Sequence, residues 1–240
     1  VTLAKRKVEY KHGTVVLQGV AVWDDAASGK RPGVLVAHQW AGRDEFAESQ
    51  AEALAQLGYT AFALDMYGKG VLGNSVAENS ALMTPFMQDR RMLADRMNAA
   101  LDTLRSLETV DSNRLAAIGF CFGGLCVLDL ARSGADVAGV VSFHGLLKPA
   151  PAISGKPVQA KILVLHGSDD PLAPIEDVVA LREEFIAAGA DWQLHMYGGA
   201  KHAFAVSGAD IPDIGALYNR LAERRSQETK RSFLRELFDA

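Results

Sequence analysis

The hexapeptide Gly119-Phe120-Cys121-Phe122-Gly123-Gly124 follows the apolar run Leu115-Ala116-Ala117-Ile118. Glycines two residues before and two after a central nucleophile are the pattern of a strand that turns sharply into a helix, with the nucleophile at the crest. Such a turn brings two backbone segments too close for Cβ atoms, which explains the glycines, and holds the central residue in a strained conformation. The pattern therefore demands a strand–turn–helix in a mostly parallel sheet. With cysteine where serine commonly stands, it points to a hydrolase with a thiol nucleophile.

The rest of the chain suits that demand. Short β-like runs alternate with amphipathic stretches, the signature of an α/β fold with helices on both faces of the sheet. A length of 240 residues, 49% of them hydrophobic, fits one domain spanning 1–240 with a well-buried core. Val8 to His12 and Val15 to Val22, separated by Gly13, read as an antiparallel hairpin. Strands are expected at 33–37, 60–64, 115–120, 138–143, 161–165 and 192–197, giving about eight in all. Helices are expected at 44–57, from Pro85 to about Leu107, and at 123–133, 175–188 and 215–238. Residues 66–84, with Gly68, Gly70, Gly73 and Asn74, read as a long loop forming a lid or pocket wall.

Several function classes fall away. The net charge is −4 and no basic stripe is visible, so nucleic acid is not an expected partner. No run reaches the roughly 18 apolar residues of a membrane helix. Val1 to Lys7 lacks the apolar segment of a signal peptide, and two cysteines five residues apart build no disulfide framework. A cytoplasmic setting is the expectation, with Cys126 as a buried core thiol. His38, His144 and His166 all fall near strand ends but match no metal-ligand spacing, so neither metal nor other cofactor is expected. Neither glycine cluster has the order of a phosphate cradle.

A triad on such a sheet runs nucleophile, acid, histidine along the chain. His166-Gly167-Ser168-Asp169-Asp170-Pro171 after one late strand offers the acid, as Asp169 or Asp170. Ala200-Lys201-His202-Ala203-Phe204 after the last strand offers the histidine.

These motifs, with His38-Gln39-Trp40-Ala41-Gly42 after the third strand, resemble the dienelactone hydrolase family of the α/β-hydrolases over nearly the whole chain. The resemblance implies Cys121 as nucleophile, Asp170 as acid and His202 as base. It implies an oxyanion hole of the Phe122 and Trp40 backbone N–H groups, and a small-molecule ester or lactone as partner, with monomer or homodimer both open. Two departures stand out. Gln39 occupies the place of a family glutamate that helps to activate the thiol. Val206 stands where the family has an arginine for the substrate carboxylate, which directs the expectation towards neutral, apolar esters. The expected pocket groups are Gln39, His38, Phe86, Phe204 and Val206, alongside Trp40 and Phe122. Such a pocket would also admit activated aryl esters or phosphotriesters. A non-catalytic binding protein on the same fold is the remaining alternative.

Overall fold

The structure, a computed structural model, describes residues 1–153, 155 and 157–238. Its centre is an eight-stranded sheet in the order β1-β2-β4-β3-β5-β6-β7-β8. The strands are β1 (Leu3–His12), β2 (Val15–Asp24), β3 (Arg31–Ala37), β4 (Thr60–Ala63), β5 (Val110–Phe120), β6 (Gly139–Phe143), β7 (Lys161–Gly167) and β8 (Trp192–Tyr197). β1 and β2 form an antiparallel hairpin and β2 meets β4 antiparallel; every other pairing is parallel.

The apolar runs explain the middle of the sheet. Val34 to Ala37, Ala116 to Ile118 and Ile162 to Leu165 are fully buried, as parallel strands covered on both faces must be. Helices α1 (Glu45–Gln56) and α6 (Arg220–Phe238) close one face through Leu54, Phe233 and Leu234. Helices α3 (Arg90–Arg105), α4 (Phe122–Arg132) and α5 (Ile175–Ala187) close the other through Met97, Leu128 and Phe185. Asp129, buried in α4, ties three of these helices together. It accepts two hydrogen bonds from Arg90 of α3, at 2.5 and 2.7 Å, and one from Arg132, which in turn pairs with Glu184 of α5. The outer strand β1 keeps its edge from further pairing with the exposed charges of Lys5, Arg6 and Lys7.

Two expectations need correction. Residues 66–84 are not all loop: α2 (Val76–Gln88) begins inside them. Ser75 caps it by accepting from the Glu78 N–H, while the Glu78 carboxylate accepts from the Asn74 N–H. The Ser75-x-x-Glu78 spacing is a legible capping signal that the surrounding glycines mask. Pro85 then does not open a long helix; it lies inside α2. The helix ends at Asp89, whose non-helical backbone (φ −120°, ψ 85°) breaks the spiral and whose carboxylate caps α3 through the Met92 N–H. At the other end of the chain, α6 starts at Arg220 rather than Gly215. A small antiparallel pair, β9 (Asp210–Ile211) and β10 (Ala216–Leu217), precedes it.

Candidate active site

Cys121 sits where β5 becomes α4, at φ 54° and ψ −116°. Few L-residues adopt this backbone, and here the packing enforces it. A Cβ on Gly119 would lie 2.0 Å from the Gly123 carbonyl oxygen, and one on Gly123 would lie 2.2 Å from that of Ala37. The Cys121 N–H donates to the Phe143 carbonyl at 3.0 Å, which pins the turn to β6. The thiol is thereby set over the first turn of α4, whose leading amides have no carbonyl one turn back. Cys126, one turn further along, is fully buried, and burial pushes its thiol well above the usual range.

His202 lies between β8 and α6 and is held by the small strand pair. Its N–H donates to Gly215 at 3.0 Å and its carbonyl accepts from Leu217 at 2.8 Å. Its ring Nδ1 meets Asp170 Oδ2 at 2.8 Å, and both side chains are buried. The other Asp170 oxygen accepts from the Leu172 and Ala173 N–H groups at 2.8 and 3.3 Å. Asp169 is exposed and accepts instead from Ser168. Of the two neighbouring aspartates, the fold therefore turns Asp170 towards the histidine.

With Nδ1 directed at Asp170, His202 Nε2 is buried without a hydrogen-bond partner among the described residues. Burial disfavours a charge on this ring. The nearby Cys121 and the hydrogen bond to Asp170 outweigh it, and the pKa rises to about 10. The thiol thus acts on the imidazole electrically, although the two do not meet in a hydrogen bond of standard geometry in this resting arrangement.

Cys121 and His202 open onto one cavity of about 640 Å³. Its floor includes Gln39, Trp40 and Ala41 of the β3–α1 turn. One wall is α2, through Val76, Ser80, Met83 and Met87. The lining also includes Leu172 and residues of the segment from Ala203 to Ile214, Val206 among them. Asp44 is the one acid among the lining residues and serves as the N-cap of α1; Lys148 is the one lysine or arginine. The Trp40 carbonyl accepts from the Tyr67 hydroxyl at 2.9 Å. The Phe122 N–H is the first of α4.

Three of the expected pocket groups stand elsewhere. His38 is buried below the floor, its Nδ1 on the Gln39 carbonyl and its Nε2 accepting from Met66; burial holds its pKa down. Phe86 faces inward, where the Arg96 guanidinium lies 5.0 Å over its ring. Phe204 packs into the core against Tyr197 and His144. Phe122 is likewise fully buried, stacked with Tyr67, so only its backbone can face the cavity. Arg90 and Arg91 do not reach the cavity: Arg90 is spent on Asp129, and Arg91 donates to the Ala152 carbonyl. The expectation for 66–84 named none of the α2 side chains; the capping signal at Ser75 together with the spacing of Val76, Ser80, Met83 and Met87 would have put them on one helical face.

A sheet of this order, with a sharp strand-to-helix turn after its central strand and a carboxylate–histidine pair beyond its later strands, defines an α/β-hydrolase. Residues 17–238 match the dienelactone hydrolase family, and the chain belongs to that family. It is an enzyme, a hydrolase acting on ester bonds. A solved structure designated m3DLH is 38% identical with a TM-score of 0.94, covering 99% of this chain and 100% of the other. A dienelactone hydrolase-like promiscuous phosphotriesterase from metagenomic libraries is also 38% identical, with a TM-score of 0.93 and 99% of each chain covered. An uncharacterized protein of Caenorhabditis elegans is 40% identical over 152 residues, which is 61% of this chain and 94% of that protein.

Among the described residues no helix is long and apolar enough to cross a membrane, and no group of three or more His, Cys, Asp or Glu could hold a metal ion.

Proposed function

We propose that this chain hydrolyses neutral, apolar carboxylic esters or lactones through a thioester acyl-enzyme, with Cys121 as nucleophile, His202 as base and Asp170 as the group that orients it. The observation that carries the reading is the Asp170–His202 contact of 2.8 Å, which leaves Nε2 turned from the acid while ring and thiol share one cavity. The thiol proton passes to Nε2, and sulfur attacks the carbonyl carbon. The carbon–oxygen bond breaks as the imidazolium gives its proton to the leaving oxygen. Water then loses a proton to Nε2 and attacks the thioester, and the carbon–sulfur bond breaks to restore the thiolate. The N–H groups of Phe122 and Trp40 are suited to receive the oxyanion, each such donor being worth about 2.7–4 kcal/mol in a comparable hole.

The neutral preference rests on Val206 and on the apolar lining, with Met83, Met87, Leu146 and Ile214 in the cavity onto which the thiol opens. Gln39 cannot act as a base, so activation falls to His202 and the α4 N-terminus. The reading treats 1–240 as one domain in a cytoplasmic setting, with residues 66–84 as pocket wall, and draws every reacting group from a single chain.

The test is turnover of a short p-nitrophenyl ester, a dienelactone and an aryl phosphotriester, each with and without prior iodoacetamide. Ester turnover that iodoacetamide abolishes, with weak dienelactone turnover, supports the reading; ester turnover that survives full alkylation of Cys121 sinks it. One observation favours phosphotriesters as a second substrate class: the 38% identity, over 99% of both chains, to a promiscuous phosphotriesterase. Attack would then fall on phosphorus, with the aryloxide as leaving group.

A further inference from the structure

Behind His202, outside the cavity lining, stands a second imidazole that the reaction just described does not use. His144 directly follows β6; its N–H donates to the Leu165 carbonyl at 2.8 Å and its side chain is fully buried. Its ring meets that of His202 at 5.2 Å between centroids and 69° between planes, an edge-to-face contact. Phe204 meets it at 5.3 Å and 81°, and Phe120 at 6.1 Å. Neither ring nitrogen has a hydrogen-bond partner among the described residues.

A buried imidazole with both nitrogens unpaired is an expensive way to fill space, since leucine would do so without stranding polar atoms. Its backbone suits histidine. His144 has φ 36°, in the left-handed region, which histidine enters more readily than bulky apolar residues do. Histidine therefore supplies a flat ring at a position that disfavours phenylalanine. Burial, His202 and His166 all act to keep this ring uncharged, so it does not repel a protonated neighbour.

We propose that His144 is a positioning residue whose ring, edge-to-face with His202, holds the His202 imidazole in the orientation that joins Asp170 to Cys121. Asp170 fixes one ring atom, Nδ1, but a single hydrogen bond leaves the ring free to rock about that contact. The His144 ring, braced by Phe204 and Phe120, removes this freedom from the side away from substrate. It touches neither substrate nor thiol, so it acts on kcat through His202 and leaves KM alone.

The inference rests on His202 being the base, and the test separates the two. Ester turnover is measured for His144→Phe, His144→Asn, His144→Leu and His202→Ala, with melting temperatures for each. His144→Phe keeps a ring and is expected to hold kcat within about threefold while melting lower from the strained backbone. His144→Asn and His144→Leu lose the ring, and kcat falls about 10- to 100-fold with KM within twofold, as for a small misplacement of a reacting group. If Asn does not fold, Leu decides, and if neither folds, a His144→Phe enzyme with kcat reduced beyond tenfold overturns the proposal. So does wild-type kcat in either ringless variant, or an equal loss in all three. An active His202→Ala would instead overturn the triad itself; an inactive one beside a fully active His144→Asn overturns only the positioning role.

Discussion

The ring of Pro171 occupies the space into which a side chain on Gly215 would project: a Cβ there would lie 2.3 Å from Pro171 Cγ. Pro171 follows Asp170, and the Gly215 carbonyl accepts the N–H of His202, so this one contact sets the Asp170 turn against the histidine segment. Gly215→Ala must displace that turn and also strain a residue at φ 68°. The expected cost is about 1–3 kcal/mol of stability. A fall in kcat larger than any change in KM accompanies it, because the Asp170–His202 contact is what moves. Thermal melts and steady-state kinetics on the same preparation check this; unchanged kcat would show that the two segments are held independently.

Cys121→Ala should lower ester turnover by more than about 1,000-fold. Cys126→Ala should retain near-normal turnover and lose about 1 kcal/mol of stability, the ordinary effect of trimming a core side chain. Intact-mass measurement after iodoacetamide should find a single label on the native wild type, and none on Cys121→Ala. Equal losses of activity in the two variants would mean that the wrong thiol has been assigned.

The charge on His202 gives a pH prediction. Burial opposes that charge, but Cys121 and Asp170 outweigh it and carry the pKa to about 10. A raised folded-state value means that the charged ring stabilises the fold fully below its unfolded value of about 6.5, and that this contribution is lost as pH rises through about 10. Removing the sulfur in Cys121→Ala takes away a raising influence, so His202 should release its proton at lower pH. Titration of the ring signals by NMR reads this directly. An identical His202 titration in both proteins would show that thiol and ring are not coupled.

Val206→Arg should strengthen binding of carboxylate-bearing lactones by about 10-fold, the worth of one charge-assisted hydrogen bond, and leave neutral esters unchanged. The measurement is KM for a matched pair of charged and neutral substrates. A parallel change for both would place the new side chain outside the pocket.

Met87→Trp on α2 should narrow the cavity and discriminate by size. Short-chain esters should keep their kcat/KM, while bulky aryl esters lose about 10-fold or more, since overfilling a packed wall costs about 1–3 kcal/mol. If both series respond alike, α2 does not bound the substrate.

The sheet was readable in advance because its strands are continuous apolar runs; Val34 to Ala37 and Ile162 to Leu165 admit no other placement. The turn at Cys121 was readable because close approach permits only glycine at 119 and 123. The pocket was not, because an aromatic residue near a strand end gives no sign of which way it points. Phe204 turns into the core while Val206, two residues on, lines the cavity. Loop-like composition likewise hid α2, where Pro85 suggested a beginning and is in fact interior. The β9–β10 pair, two residues a side, is too short to leave any periodicity, yet it is what holds His202.

Helix α2 is capped by Ser75 at one end and stopped at Asp89 at the other, and of its thirteen residues only Asn79 and Phe86 are buried. Val76, Ser80, Met83 and Met87 face the cavity, and of these only Met83 and Met87 also lean on the core. The chemistry, by contrast, stands on strand ends locked by glycine contacts and buried hydrogen bonds. Selection can therefore rewrite one face of one helix, trading methionine for a smaller, larger or charged neighbour, and retune what this protein accepts without disturbing how it cuts.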